Sequence, residues 1–180
     1  TLQFPVFVKP ANGGSSIGMS RVNTPDVTEL ESAIQKAFTE DTQVLIEEYI
    51  KGREFTIGVY KNKGVITPLP MTEVFSKREF FDFIAKYKGE SDEETPAKVD
   101  EHKAEKIRAA AKKIYQVFNC RGVIRIDFIY NEEKDEPFML EINTVPGQSE
   151  MSIVPQQVRA MGGNLKDFYS AMIEEVLPKK

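Results

Sequence analysis

Two short apolar segments, residues 122–130 and 138–143, constrain this chain more than any other feature. Successive side chains of a strand leave opposite faces. In the first segment Ile124, Ile126, Phe128 and Tyr130 therefore point one way, and Val123, Arg125, Asp127 and Ile129 the other. In the second, Phe138, Leu140 and Ile142 share a direction, while Met139, Glu141 and Asn143 take the opposite one. The polar stretch 131–137 is short enough for a hairpin. Antiparallel pairing then makes the polar faces coincide, gathering two carboxylates, a carboxamide and a guanidinium just before Pro146-Gly147. A solvated sheet face would account for any one of these residues; all four at matching parity favour a site. The set suits Mg²⁺, a hard ion that takes oxygen ligands and shares them with phosphate. Arg125 would balance charge or hold an oxyanion.

The rest of the chain alternates short strands with helices, and hairpins recur, so the fold class is α+β with a mostly antiparallel sheet. Strands are expected at 5–9, 19–22, 43–49, 54–60, 65–67 and 72–75, with turns at Lys51-Gly52 and Asn62-Lys63-Gly64. Thr24-Pro25 has the chemistry of a helix start, Thr as N-cap and Pro at the first helical position. Val27, Leu30, Ile34, Ala37 and Phe38 then recur at helical spacing. A second helix is expected at 102–119 with Ile107, Ala111, Ile114 and Phe118 on its apolar face, and two more at 154–161 and 165–177. Residues 77–96 break the pattern with Phe80, Phe81, Phe83 and Tyr87 among charges, and a segment so long without periodicity reads as a functional lid.

Three further motifs carry chemistry. Residues 9–18, Lys-Pro-Ala-Asn-Gly-Gly-Ser-Ser-Ile-Gly, free backbone N–H groups to wrap an anion, with Lys9 as a point charge. The glycine spacing is neither a P-loop nor a dinucleotide fingerprint, and an ordinary hairpin loop would also explain it. Glu47, Glu48 and Ile50 end a strand just before Glu54, where backbone and carboxylates can read a base edge and ribose hydroxyls, as can any amphipathic strand end. Lys86 sits in the aromatic segment, placed to meet a phosphate or simply to flank core aromatics.

Composition narrows the alternatives. A net charge of -4 gives no basic field for nucleic acid. No apolar run approaches the roughly 20 residues of a membrane span. One Cys (Cys120) and one His (His102) exclude an internal disulfide framework and a structural zinc site. Thr1-Leu2-Gln3, with no Met and a strand directly after, is expected of a start inside a longer protein.

Together Val8-Lys9-Pro10, Gly14-Ser15-Ser16-Ile17-Gly18-Met19-Ser20, Glu54-Phe55-Thr56, Lys86-Tyr87, Gly122-Val123-Ile124-Arg125-Ile126-Asp127 and Glu141-Ile142-Asn143-Thr144-Val145-Pro146-Gly147 resemble the D-alanine–D-alanine ligase family, in its order and over essentially the whole chain. The resemblance implies an ATP-grasp fold, truncated at the N-terminus, in which two α+β lobes hold ATP. Residues 1–50 would be part of the central lobe, and 51–180 the C-terminal lobe with its lid at 77–96. Lys9 would contact phosphates, with Lys86 on the lid; Glu47 and the backbone at Glu48 and Ile50 would bind adenine, and Glu54 the ribose. Asp127, Glu141 and Asn143 would hold two Mg²⁺ ions, Mn²⁺ serving as a substitute. Arg125 and the Gly147 N–H would stabilise the oxyanion of the tetrahedral intermediate. Ser152 and Ile153 would contact the second D-alanine, with Ser152 and Lys86 near its carboxylate. Ser15 and Tyr87 would meet a glutamate of the absent N-terminal domain that binds the first D-alanine's ammonium.

The implied reaction is ATP-dependent joining of two D-alanines for peptidoglycan precursors, in the cytoplasm, by a full-length homodimer. A sister activity making D-alanine–D-lactate or D-alanine–D-serine is the nearest alternative, against which Tyr87 argues; a nucleotide-binding fragment without activity is another. Glu48, where the family often has Lys, and Gln148-Ser149-Glu150, where it has an apolar residue and Thr, depart from the pattern.

Overall fold

The computed structural model describes residues 2–76 and 91–177. Contacts divide the chain into two units, Thr1–Ile50 with Ser76–Asp92, and Lys51–Phe75 with Glu93–Lys180. Among the described residues no helix is long and apolar enough to cross a membrane.

The first unit contains β1 (Val6–Pro10), β2 (Ser20–Val22), α1 (Val27–Phe38) and β3 (Val44–Glu48). Its sheet runs β2-β1-β3, with antiparallel pairing on both sides of β1. Val6, Val8 and Val22 leave one face and are buried with Ala33 and Ala37 of α1, with Leu30 and Ile34 alongside. The opposite face carries Phe7 and Lys9, in register with Arg21, Glu47 and Leu45. The helix begins later than Thr24-Pro25 suggests. Asp26 is the N-cap, its Oδ1 accepting the Glu29 N–H at 2.9 Å, a role in which Asp is at least the equal of Thr. The apolar stripe is accordingly Leu30, Ala33, Ile34 and Ala37, and both Val27 and Phe38 are exposed.

The larger, six-stranded sheet runs β7-β6-β4-β8-β9, with β5 also paired to β4. Its strands are β4 (Arg53–Asn62), β5 (Val65–Pro68), β6 (Thr72–Ser76), β7 (Ser91–Glu94), β8 (Val123–Asn131) and β9 (Glu136–Asn143). The strands flanking Lys51-Gly52 belong to different sheets, so no hairpin forms there. Gly52 is required because a Cβ would fall 2.1 Å from the Tyr130 carbonyl oxygen. In the segment expected to be a lid, residues 91–94 are the edge strand β7; residues 77–90, with Lys86 and Tyr87, lie outside those described.

Helix α2 (Glu101–Val117) covers one face of this sheet. Phe55, Ile57 and Val59 of β4 and Ile124, Ile126, Phe128 and Tyr130 of β8 are buried there with Ala104, Ile107, Ala111 and Tyr115. Phe118, expected on that helix face, is instead its C-cap and exposed; Tyr115 fills the place. Helices α3 (Ile153–Ala160) and α4 (Leu165–Val176) lie on the other face, where Tyr60, Leu69, Val154, Val158 and Phe168 form a smaller core with Val123 packed against it. The residues continuing that face from Tyr60 and Val123 are Gly58 and Thr56 on β4, and Arg125 and Asp127 on β8. One sheet face thus passes from an apolar stretch under helices to a polar stretch at Thr56 and Asp127.

The β8–β9 hairpin contains a bulge that simple alternation does not predict. Asp127 pairs with Glu141, but Phe128 pairs with Met139, leaving Leu140 as the extra residue. Phe138 consequently pairs with Ile129 and not with a residue of the α2 face. The parity of Glu141 and Asn143, on the near side of the bulge, is as expected: Arg125 pairs with Asn143.

Candidate functional site

The bulge sets Asp127 and Glu141 opposite each other. Like charges directly opposite in a sheet are destabilising, and the neighbours offset them. Arg125 clamps Asp127 through two parallel bonds, Nε to Oδ1 at 2.9 Å and Nη2 to Oδ2 at 3.0 Å, the fork geometry that makes Arg–carboxylate pairs strong. The Asn143 amide bridges the two carboxylates, Nδ2 donating to Asp127 Oδ2 at 3.2 Å and to Glu141 Oε1 at 3.3 Å. Thr56, across on β4, donates from Oγ1 to Asp127 Oδ1 at 2.5 Å. Burial acts to lower the pKa of Arg125, but its bonds to Asp127 and the charges of Asp127, Glu141 and Glu93 outweigh that and raise it. Burial also pushes the Glu93 carboxyl up, against the pull of Gln156 and Arg125.

This donor set fits Mg²⁺. Among the described residues no group of three or more His, Cys, Asp or Glu could hold a metal. Mg²⁺ does not need one, because it is typically held by one or two carboxylates plus substrate phosphates. Two carboxylates and an amide oxygen on Asn143 meet that description, and the amide already sits where a cation would neutralise both acids.

After β9 the chain turns through Pro146-Gly147 into α3. Ser152 is the N-cap of α3 yet makes no side-chain cap bond. Its hydroxyl lies 2.7 Å from that of Ser149, and a Cβ on Gly147 would come within 2.8 Å of it. Gly147 is therefore small so that the Ser152 hydroxyl can lie against its backbone. Gln148 anchors the turn, donating to the Pro146 carbonyl and accepting from Tyr169 Oη at 3.0 Å. Ile153 opens α3 half-buried. Glu54 lies on β4 opposite Ile129, beyond Thr56.

In the first unit Lys9 and Glu47 come together, Nζ to Oε2 at 2.6 Å, on the face opposite α1. Glu48, next along β3, instead accepts the Gln3 N–H at 2.7 Å. Ile50 follows β3. Ser15 stands in the loop after β1 with φ +55°, and Ser16 follows at +57°, a left-handed pair uncommon for residues with a Cβ. The loop is tied down by Asn12, whose backbone N–H donates to Asp41 Oδ2 at 2.6 Å.

Thr56 lies in one of the motifs that carry the resemblance, but the sequence assigns neither it nor Gln157 a role at a site. A trace of Gln157 was present, a polar residue set among Val154 and Val158 on the apolar stripe of α3; it is fully buried.

A model of the D-Ala–D-Ala ligase C-terminus matches residues 1–174. The D-alanine–D-alanine ligase of Phocaeicola vulgatus is 46% identical over 170 residues, 94% of this chain and 52% of that protein. The Parabacteroides distasonis enzyme is 44% identical over 99% of this chain and 53% of its own length. Among solved structures, the VanG D-Ala:D-Ser ligase of Enterococcus faecalis superposes with a TM-score of 0.84 at 32% identity, covering 96% of this chain and 50% of that one. A Bacillus anthracis D-alanine–D-alanine ligase complexed with ATP gives 0.76 at 29%, covering 95% and 52%. The chain thus spans about half the length of the relatives it matches. Antiparallel sheets with flanking helices are the architecture of the ATP-grasp ligases, and the chain belongs to the D-alanine–D-alanine ligase family, matching its C-terminal part.

Proposed function

We propose that this chain is the nucleotide- and cation-binding half of an enzyme that joins two D-alanines with ATP, a step of peptidoglycan precursor synthesis. The observation that carries the reading is the Asp127–Glu141 pair, two facing carboxylates bridged by one carboxamide and clamped by one guanidinium. Like charges directly opposite are destabilising, and a cation held between them would add to the compensation that Arg125 and Asn143 already give. Residues 1–50 would serve as part of the central ATP-grasp lobe and 51–180 as the C-terminal lobe.

Asp127, Glu141 and Asn143 would hold Mg²⁺, which supplies charge neutralisation for the phosphates when bound. Lys9, now paired with Glu47, would exchange that partner for a phosphate oxygen, freeing the Glu47 carboxylate for the adenine amino group, with backbone groups at Glu48 and Ile50 alongside and Glu54 on the ribose. The first D-alanine's carboxylate would take the γ-phosphoryl group to give an acyl phosphate. The second D-alanine's amine would attack its carbonyl, with phosphate leaving. Arg125 and the Gly147 N–H would donate to the oxyanion that develops, and Ser152 and Ile153 would hold the second amino acid. Roles for Ser15, Lys86 and Tyr87 rest on the family resemblance. Catalysis in this scheme is positioning and charge stabilisation, as in phosphoryl transfer generally.

A second reading, D-alanine–D-serine ligation, has the likeness to the VanG enzyme in its favour. Product analysis separates the two. The full-length protein given MgATP, D-alanine and equal D-serine or D-lactate is expected to form mainly the D-alanine dipeptide and to release ADP; a mainly mixed product would shift the reading to the sister activity. The 180-residue chain alone is expected to fold but form no dipeptide.

A further inference from the structure

Thr56 lies opposite Asp127 in the β4–β8 register and is 3% exposed. Its hydroxyl donates to Oδ1 of Asp127, the oxygen that also accepts from Arg125 Nε. Oδ2 is the oxygen on the Glu141 side, since Asn143 Nδ2 reaches both it and Glu141 Oε1. The Thr56 hydroxyl, bound to the far oxygen, therefore helps fix the plane of the carboxylate so that its other oxygen lies toward Glu141. Arg125 and Asn143 also bond this carboxylate, but both are polar side chains of its own hairpin, whereas Thr56 reaches it from the neighbouring strand.

Thr56 is itself immobilised. Strand β4 pairs with β6 through Thr56 and with β5 from Val59 onward. The Thr56 carbonyl and the Gly58 N–H fall in the gap, and the Gln157 amide fills it. Oε1 accepts from Gly58 N at 2.8 Å, and Nε2 donates to the Thr56 carbonyl at 3.0 Å and to Thr72 Oγ1 at 3.1 Å. The Thr72 hydroxyl meets that of Thr95 at 2.6 Å. A Cβ on Gly58 would lie 2.8 Å from Gln157 Oε1, so only glycine admits the amide. A buried network in which every polar atom named has a partner is rigid, and this one ends at the carboxylate of Asp127.

We propose that Thr56, held by Gln157, is a positioning residue for a divalent cation, fixing the plane of the Asp127 carboxylate so that one oxygen faces the cation on the Glu141 side. The proposal rests on the reading of Asp127 and Glu141 as cation ligands, and the experiment separates the two. Mn²⁺ is titrated into the 180-residue chain and free Mn²⁺ is read by electron paramagnetic resonance, for wild type, Thr56→Val, Thr56→Ser and Asp127→Asn. Valine keeps the shape and strand preference of threonine and puts a methyl in place of the hydroxyl; a melt of each variant confirms folding. Partners that orient a ligand typically matter about 10- to 100-fold in metal affinity, so Thr56→Val is expected to bind Mn²⁺ at least about tenfold more weakly, with Thr56→Ser near wild type. Wild-type affinity in Thr56→Val, or a Thr56→Ser variant as weak as Thr56→Val, overturns the role of the hydroxyl while the loss in Asp127→Asn leaves the site standing. Undiminished affinity in Asp127→Asn, or no Mn²⁺ bound by wild type, overturns the site reading and the proposal with it.

Discussion

Two aspartates on one hairpin show how differently a folded chain can hold the same side chain. Asp135, at the tip of β8–β9, is surrounded by donors: Tyr130 Oη at 2.6 Å, Lys106 Nζ at 2.5 Å and His102 Nε2 at 3.4 Å. Lys106 also donates to its carbonyl at 2.6 Å, and its φ of +52° makes the turn. Lys106 and Tyr130, with His102, hold the Asp135 carboxyl well below the usual carboxylate range. Asp127 also accepts several hydrogen bonds, yet the strand beside it presents Glu141, a second acid. At the tip the charges cancel and the hairpin is fastened to α2. At the other end two acids are set face to face, with one guanidinium forked onto Asp127 and one amide across both. Like charges directly opposite are destabilising in a sheet, and that difference supports the proposal that Asp135 is structural and Asp127 part of a site.

The sharpest way to break this contrast is kinetic. In the full-length protein, Asp127→Asn should lower kcat by about two orders of magnitude or more, the range for losing a main electrostatic stabiliser. Asp135→Asn should leave kcat near wild type. Equal losses in steady-state assays would erase the distinction.

Stability should respond in the opposite sense. Tyr130→Phe removes the buried hydroxyl's bond to Asp135 and should cost about 1 kcal/mol, a fall in Tm of about 2–4 °C for a protein of this size. The pH dependence has a definite sign. A carboxyl whose folded pKa is depressed stabilises the protein above its unfolded pKa, about 3.9, and that contribution is lost as pH falls through the lower, folded value. Asp135→Asn should therefore flatten the acid side of the stability profile measured by denaturant melts. The smallest expected effect is the most diagnostic. Glu141→Gln relieves the facing charges and should raise stability by about 0.2–1 kcal/mol while lowering turnover, a pairing of gain and loss not expected of a structural carboxylate.

Much of this was legible in the residues themselves. Strict alternation from Ile124 to Tyr130 left only one face for Arg125 and Asp127, and burial of the apolar four follows that reading. The bulge was hidden because Phe138, Met139 and Leu140 are all apolar, so no change of residue type marks the slip in parity. The start of α1 was misplaced because Thr24 and Asp26 are both capping residues, and only the bond to Glu29 decides between them. Thr56 and Gln157 were invisible as a pair. Nothing local links a strand threonine to a helical glutamine 101 positions later, and only tertiary packing brings the amide into the gap in β4. The lysine–glutamate contact of β1 and β3 was likewise expected only as two separate ligands, since strand register, not motif, sets Lys9 beside Glu47.

In the proposed function the Asp127 end of the hairpin, and not the Asp135 end, receives the cation. Paramagnetic broadening by substoichiometric Mn²⁺ in the ¹⁵N-labelled 180-residue chain tests it most directly, because it locates even weakly held ions. The amides of Arg125, Asp127, Glu141 and Asn143 should broaden first, with those of Glu132 and Asp135 little affected. Broadening that begins at the hairpin tip, or spreads evenly over the acidic surface, would contradict the account.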